Sequence, residues 1–188
     1  MTQLQPSGAQ WANRFQTSRS TQTLSGTFRA KAESFIAALR AAGATVSIAA
    51  TYRPPERAHL MHYSFRIAKE GLAPGNVPVY PGVNIQWLHT DSLGNPDIAA
   101  SRAAASEMVK KFEIVHRPSL KSRHTQGLAI DMSISWNGAL NIALPTGKTQ
   151  TIATAPHSGN NAALHAVGRA YGVIKLVTDR PHWSSDGH

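Results

Sequence analysis

The run Ser122-Arg123-His124-Thr125-Gln126-Gly127-Leu128-Ala129-Ile130-Asp131 decides how this chain is read. Leu128, Ile130, Met132 and Ile134 alternate with Ala129, Asp131, Ser133 and Ser135. A period of two marks a strand with one face in a core and the other open. Asp131 falls on the open face, among small and polar side chains. Gly127 lets the backbone turn tightly between the loop that carries His124 and the strand. A loop imidazole and a strand carboxylate placed this way offer two ligands to one divalent cation.

A catalytic site needs a third ligand, and Val177-Thr178-Asp179-Arg180-Pro181-His182-Trp183 supplies a candidate. Gly172 to Val177 reads as a short strand, so His182 lies just past a strand end. Asp179, three residues earlier, is too near His182 to be an independent ligand but is well placed to hold a water. Two histidines and one carboxylate leave one position of a four-coordinate ion open, and zinc brings the pKa of water held there to about 7.

The patterns Ser-x-His-x-x-Gly-x-Ala-x-Asp at 122–131 and Asp-x-x-His at 179–182 resemble the zinc peptidases that cut peptidoglycan stem peptides. That family includes D-Ala-D-Ala carboxypeptidases and phage L-alanyl-D-glutamate endopeptidases, and it shares the hedgehog/DD-peptidase fold. The resemblance spans residues 28–70 and 120–184. It implies Zn2+ held by His124, Asp131 and His182, with Asp179 as general base and acid. Many relatives carry Glu at that position; Asp is similar to the phage endopeptidase branch. Arg53, in Ala50-Thr51-Tyr52-Arg53, matches the family arginine that polarises the scissile carbonyl. The implied activity is hydrolysis of an L-Ala-D-Glu bond by an endolysin. A D-Ala-D-Ala carboxypeptidase and a non-catalytic wall-binding module that keeps a zinc site are the alternatives.

The chain has 188 residues, 41% hydrophobic and 15% charged, which suits a folded domain rather than disorder. Its 19 Lys and Arg against 10 Asp and Glu give a net charge of +9, a surface drawn to polyanions. The basic residues are dispersed and no nucleic-acid motif accompanies them, so an anionic cell envelope is the expected partner beside peptidoglycan itself. No stretch is long enough to span a membrane. Met1 to Thr23 lacks the apolar core of a signal peptide. The expectation is a monomer made in a host cytoplasm that reaches the wall through a separate permeabilising protein. The absence of cysteine excludes disulfides and thiolate metal sites.

In chain order, residues 1–26 read as a polar arm anchored by Trp11 and Phe15, and residues 27–188 as one catalytic domain. Phe28, Ala32, Phe35, Ile36 and Leu39 recur at helical spacing, and Gly43 ends that helix. Thr45 to Ala50 is a strand, and Glu56 to Lys69 a second helix. Residues 71–95 form a Gly/Pro-rich loop, and Asn95 or Asp97 caps a third helix to about Phe112. Asn137-Gly138 is a hairpin signal. Leu140 to Leu144 and Thr149 to Ala153 are further strands, and Asn160 or Asn161 caps a last helix through Tyr171. The expected class is α+β: a small mixed or antiparallel sheet with helices packed on one side.

Several of these residues have a second reading. Asp131 is also a possible strand-end turn residue, and Asp179 a possible partner of Arg180. Arg53 could pair with Glu56, and Tyr52 could be core or substrate contact. Ser122 could bond substrate or cap its loop. Trp183, beside a ligand, has the best claim among the tryptophans to line a cleft. His157, His165 and His188 compete with His182. His59, His62, His89 and His116 read as surface or satisfied polar groups.

Overall fold

A computed structural model describes residues 3–188. In chain order the elements are β1 Gln5–Pro6, α1 Gly26–Ala41, β2 Thr45–Ala50, α2 Pro55–Lys69, β3 Ile85–Gln86, β4 His89–Thr90 and β5 Pro96–Asp97. There follow α3 Ile98–Lys111, β6 Ala129–Ser135, β7 Leu140–Ala143, β8 Thr149–Ile152, α4 Ala162–Ala170, β9 Ile174–Lys175 and β10 His182–Ser184. The class is α+β, as the alternation patterns require.

By internal packing the chain divides into two compact units. Among the described residues, one comprises residues 3–16 and 54–121, the other residues 17–53 and 122–188. Of the segment 1–26, expected as an arm, residues 3–16 belong to the first unit and 17–26 to the second, and residues 1–2 lie outside the described residues. Trp11 is fully buried in the first unit's core and gives its indole N–H to the Pro6 carbonyl at 2.9 Å.

In that first unit α2 and α3 bury Leu60, Tyr63, Ile67, Ala105 and Met108 against Val83, Ile85 and Trp87. Asp97 caps α3 by accepting from the Ala100 amide at 2.8 Å.

The second unit is built on a four-stranded antiparallel sheet in the order β2-β6-β10-β9. β6 alternates as the sequence demands: Ile130, Met132 and Ile134 are buried, Ser133 and Ser135 exposed. The buried face packs on Phe28, Phe35 and Leu39 of α1 and on Leu164 and Val167 of α4. Burying each large side chain contributes about 1.5–3 kcal/mol. Both helices pack into this one core, leaving the Asp131 side of β6 free to carry polar groups. α4 comes close because Gly168 has no side chain; a Cβ there would stand 2.6 Å from the Trp183 ring.

The Asn137-Gly138 turn does not make a hairpin of β6 and β7. β7 pairs with β8 across Pro145-Thr146-Gly147, so the turn only redirects the chain. Asn161 caps α4, its Oδ1 accepting from the amides of Ala163 and Leu164.

Candidate metal centre

Three strands and a turn of the second unit set the site. Opposite Asp131 in register lie His182 on β10 and Ala50 on β2. A bulge between Ile48 and Ala50 brings the end of β2 to this position and sends Thr51 to Arg53 past the site. His124 stands on the 3-10 turn Arg123–Gln126 that precedes β6.

That turn is tightly specified. The Ser122 hydroxyl accepts from the Thr125 amide while the Thr125 hydroxyl accepts from the Ser122 amide, a reciprocal cap. Ser122 is thus engaged as the loop's cap. Gly127 ends the turn at φ 69°, in the left-handed region, with the Ser25 hydroxyl 2.5 Å from where a Cβ would be. Both the dihedral and the space call for glycine there.

His124 Nε2, Asp131 Oδ1 and His182 Nδ1 converge. Each nitrogen lies 3.1 Å from the carboxylate oxygen, and the nitrogens lie 3.2 Å from each other. The outer nitrogens decide what these atoms carry. His124 Nδ1 is 2.9 Å from the Thr51 carbonyl, and His182 Nε2 is 3.1 Å from the His188 main-chain oxygen. Carbonyls only accept, so both outer nitrogens are N–H donors. In the neutral rings the inward nitrogens are then bare lone pairs facing a carboxylate. Three acceptors at this spacing require a cation, a proton or a metal, between them. Outer N–H bonds to carbonyls are also the arrangement that orients metal-ligating histidines.

The spacing fits a metal. Bonds of 2.0–2.2 Å in a tetrahedron put ligand atoms about 3.3 Å apart. Two imidazoles and a carboxylate suit zinc, and the same donors also serve ferrous iron. These three residues are the one such group among the described residues.

The electrostatics agree. Burial pushes the Asp131 carboxyl up, but bonds from His124 and His182 outweigh it and hold its pKa far below the usual range. Burial lowers His182, yet the Asp131 bond and charge prevail and raise it. Arg53 is half-buried with its Nε unpartnered; desolvation lowers its pKa and the charge of Asp131 opposes that. Its amide donates to the His124 carbonyl at 3.1 Å, which anchors Arg53 beside the cluster.

Asp179 is exposed on the turn before His182, and its carboxylate is outside the three-atom cluster. It makes no ion pair with Arg180. Tyr52 is half-buried, its carbonyl taking the Ser18 amide at 2.8 Å. Trp183 cannot line a cleft: it is fully buried against Phe35 at 5.4 Å and His165 at 5.7 Å. Alternation explains the correction, since successive β10 residues face opposite ways and His182 takes the site face. His165 donates to or accepts from nothing in the site; its Nε2 lies 3.0 Å from the Gly159 carbonyl. His157 stacks on Trp136.

Two supports were not read from the sequence. Lys175 is buried, and its ammonium donates to the carbonyls of Leu176, at 2.5 Å, Asp179, and His182, at 3.2 Å. It thereby cross-braces the turn that presents Asp179 and His182. Arg123 pairs with Asp186 through two nitrogens. The Ser184 hydroxyl accepts from the amides of Gly187 and His188, so residues 184–188 fold back to bring the His188 oxygen to His182. A lysine in a β-strand and an acid near the last residues carry no motif, so only the folded arrangement exposes these roles. The chain matches no protein-family model, no curated protein and no solved structure.

Proposed function

We propose that this protein is a zinc peptidase of the hedgehog/DD-peptidase type that cleaves peptidoglycan stem peptides, as an L-alanyl-D-glutamate endopeptidase of an endolysin. The supporting observation is the convergence of two imidazole lone pairs and one carboxylate oxygen within 3.2 Å, with both outer nitrogens held by carbonyls. His124, Asp131 and His182 would hold the ion. Zinc supplies Lewis acidity and lowers the pKa of a bound water toward neutrality.

The remaining work falls to side chains of this unit. Asp179 takes a proton from the attacking water and returns it to the leaving amine. Arg53 offers its unpartnered guanidinium to the carbonyl oxygen as negative charge develops there. Burial of Arg53 strengthens that interaction, since fewer waters compete for it. No helix among the described residues is long and apolar enough to cross a membrane.

Digesting purified peptidoglycan with and without a chelator, and identifying new termini by mass spectrometry, tests the reading. New N-terminal D-Glu that disappears with chelator is the expected result. Free D-Ala would replace the endopeptidase by a carboxypeptidase, and no new terminus with zinc bound would leave a wall-binding module.

A further inference from the structure

The sheet does not hold the carbonyl that orients His124. The last β2 residue paired with β6 is Ala50, opposite Asp131. The carbonyl that takes the His124 Nδ1–H at 2.9 Å belongs to the next residue, Thr51. A main-chain oxygen can fix a ligating ring only if it is itself fixed. Residues 18–25, a segment with no motif of its own, supply that hold.

The segment grips both sides of that hydrogen bond. On the acceptor side the Thr51 amide donates to the Ser18 carbonyl and the Ser18 amide to the Tyr52 carbonyl, each at 2.8 Å. Thr51 is fully buried, and its hydroxyl lies 3.0 Å from the carbonyls of Ser18 and Ser20 and 2.9 Å from the Thr23 hydroxyl. All three neighbours belong to the segment, so the one hydroxyl proton of Thr51 goes to it in any arrangement. On the donor side the Ser25 hydroxyl gives to the Gln126 carbonyl at 2.8 Å and the Ser25 amide to the Gly127 carbonyl at 2.9 Å. Gln126 and Gly127 close the turn that carries His124. Leu24, buried in the core of the unit, pins the segment beneath these contacts.

We infer that residues 18–25 form a strap that holds His124 in its metal-ligating orientation, with Thr51 and Ser25 as the positioning residues at its two grips. The inference rests on reading the trio as a metal centre and is independent of which bond the protein cuts. Neither hydroxyl belongs to the three converging groups, so both act through His124.

The test uses the full chain and zinc alone. Thr51→Val keeps the shape of the side chain and removes the hydroxyl, whereas Thr51→Ser keeps the hydroxyl and gives up packing. Ser25→Ala removes the other grip at an exposed position, so a Thr51→Val chain that fails to fold does not end the test. Zinc affinity is read by chelator competition, and exchange of the His124 Nδ1–H with water by NMR of the zinc-free chain. Thr51→Val should weaken zinc binding and speed that exchange about tenfold each, the lower end for a group supporting a ligand. Ser25→Ala should do the same about threefold, the scale of one neutral hydrogen bond. Thr51→Ser should keep wild-type values of both even as its denaturation midpoint falls. Wild-type exchange or affinity in a folded Thr51→Val or Ser25→Ala chain overturns the strap. Equal losses in Thr51→Ser and Thr51→Val assign the effect to packing and overturn it too. Faster exchange in Thr51→Val and Ser25→Ala, with no zinc bound even by the wild-type chain, supports the hold on His124 and overturns the metal reading instead.

Discussion

His124 and His182 share one design: an outer N–H given to a main-chain oxygen and an inner lone pair given to the cluster. Removing either ring removes a candidate ligand, and removing His124 also takes the donor from the carbonyl of the buried Thr51. His124→Ala and His182→Ala should each bring zinc content, measured by elemental analysis, from near one per chain to near zero. Asp179→Asn should keep the zinc and abolish turnover, since the exposed carboxylate is outside the ligand set. Stoichiometric zinc in either alanine variant, or full activity in Asp179→Asn, would contradict these roles. Gly127 is a residue-scale constraint of another kind. Gly127→Ala forces a left-handed φ on a residue with a Cβ, against Ser25 and Thr23. A loss of about 1–3 kcal/mol in chemical denaturation is expected.

At the scale of elements, the β9–β10 connection depends on Lys175. Lys175→Met keeps the length of the side chain but leaves the carbonyls of Leu176, Asp179 and His182 without their shared donor. Zinc affinity, measured by chelator competition, should fall about 10–100-fold, the usual effect of losing a group that supports a ligand. α2 holds a different liability. His59 is buried among Tyr63, Tyr80 and Trp87, with Nε2 unpartnered. Desolvation, helped by repulsion from His62, lowers its pKa to about 4. Unfolding releases it to an ordinary value of about 6.5, so the unfolded chain binds more protons between these limits. Stability is therefore complete above about pH 6.5 and declines by on the order of 3 kcal/mol as pH falls to about 4. His59→Phe should remove that decline, checked by denaturant midpoints at pH 7 and pH 4.5; an unchanged difference between the two would refute it. The sequence placed His59 among satisfied polar groups because its helical spacing marks a face but not what covers that face. His62 and His89 do meet the expectation, with partners at 2.8 Å and 2.9 Å.

For the whole molecule the net charge of +9 is the dominant long-range property. Retention on peptidoglycan that still carries its anionic polymers should weaken steadily as salt rises from about 0.05 M to 0.5 M, over which screening length falls from about 14 Å to 4 Å. Salt-independent retention would assign it to short-range contacts. The helices, β2, β6 and the candidate trio were legible because each rests on local pattern: helical spacing in Phe28 to Leu39, alternation from Leu128, the compact motif at 122–131 and the Asp-x-x-His at 179–182. The division into two units was not legible, because residues 3–16 join residues 54–121 through a long return of the chain that no local pattern encodes. Trp183 was assigned to the wrong face because adjacency to His182 was given more weight than alternation.

A cation held by His124, Asp131 and His182 would also tie together separated parts of the chain, since Asp131 and His182 stand 51 positions apart and the protein contains no cysteine. An ion bound there closes that loop as a covalent staple would in a secreted mini-protein. By mass action, free metal at a hundred times its dissociation constant adds about 2.7 kcal/mol to folding. Metal supply would then govern the lifetime of the fold as well as its chemistry.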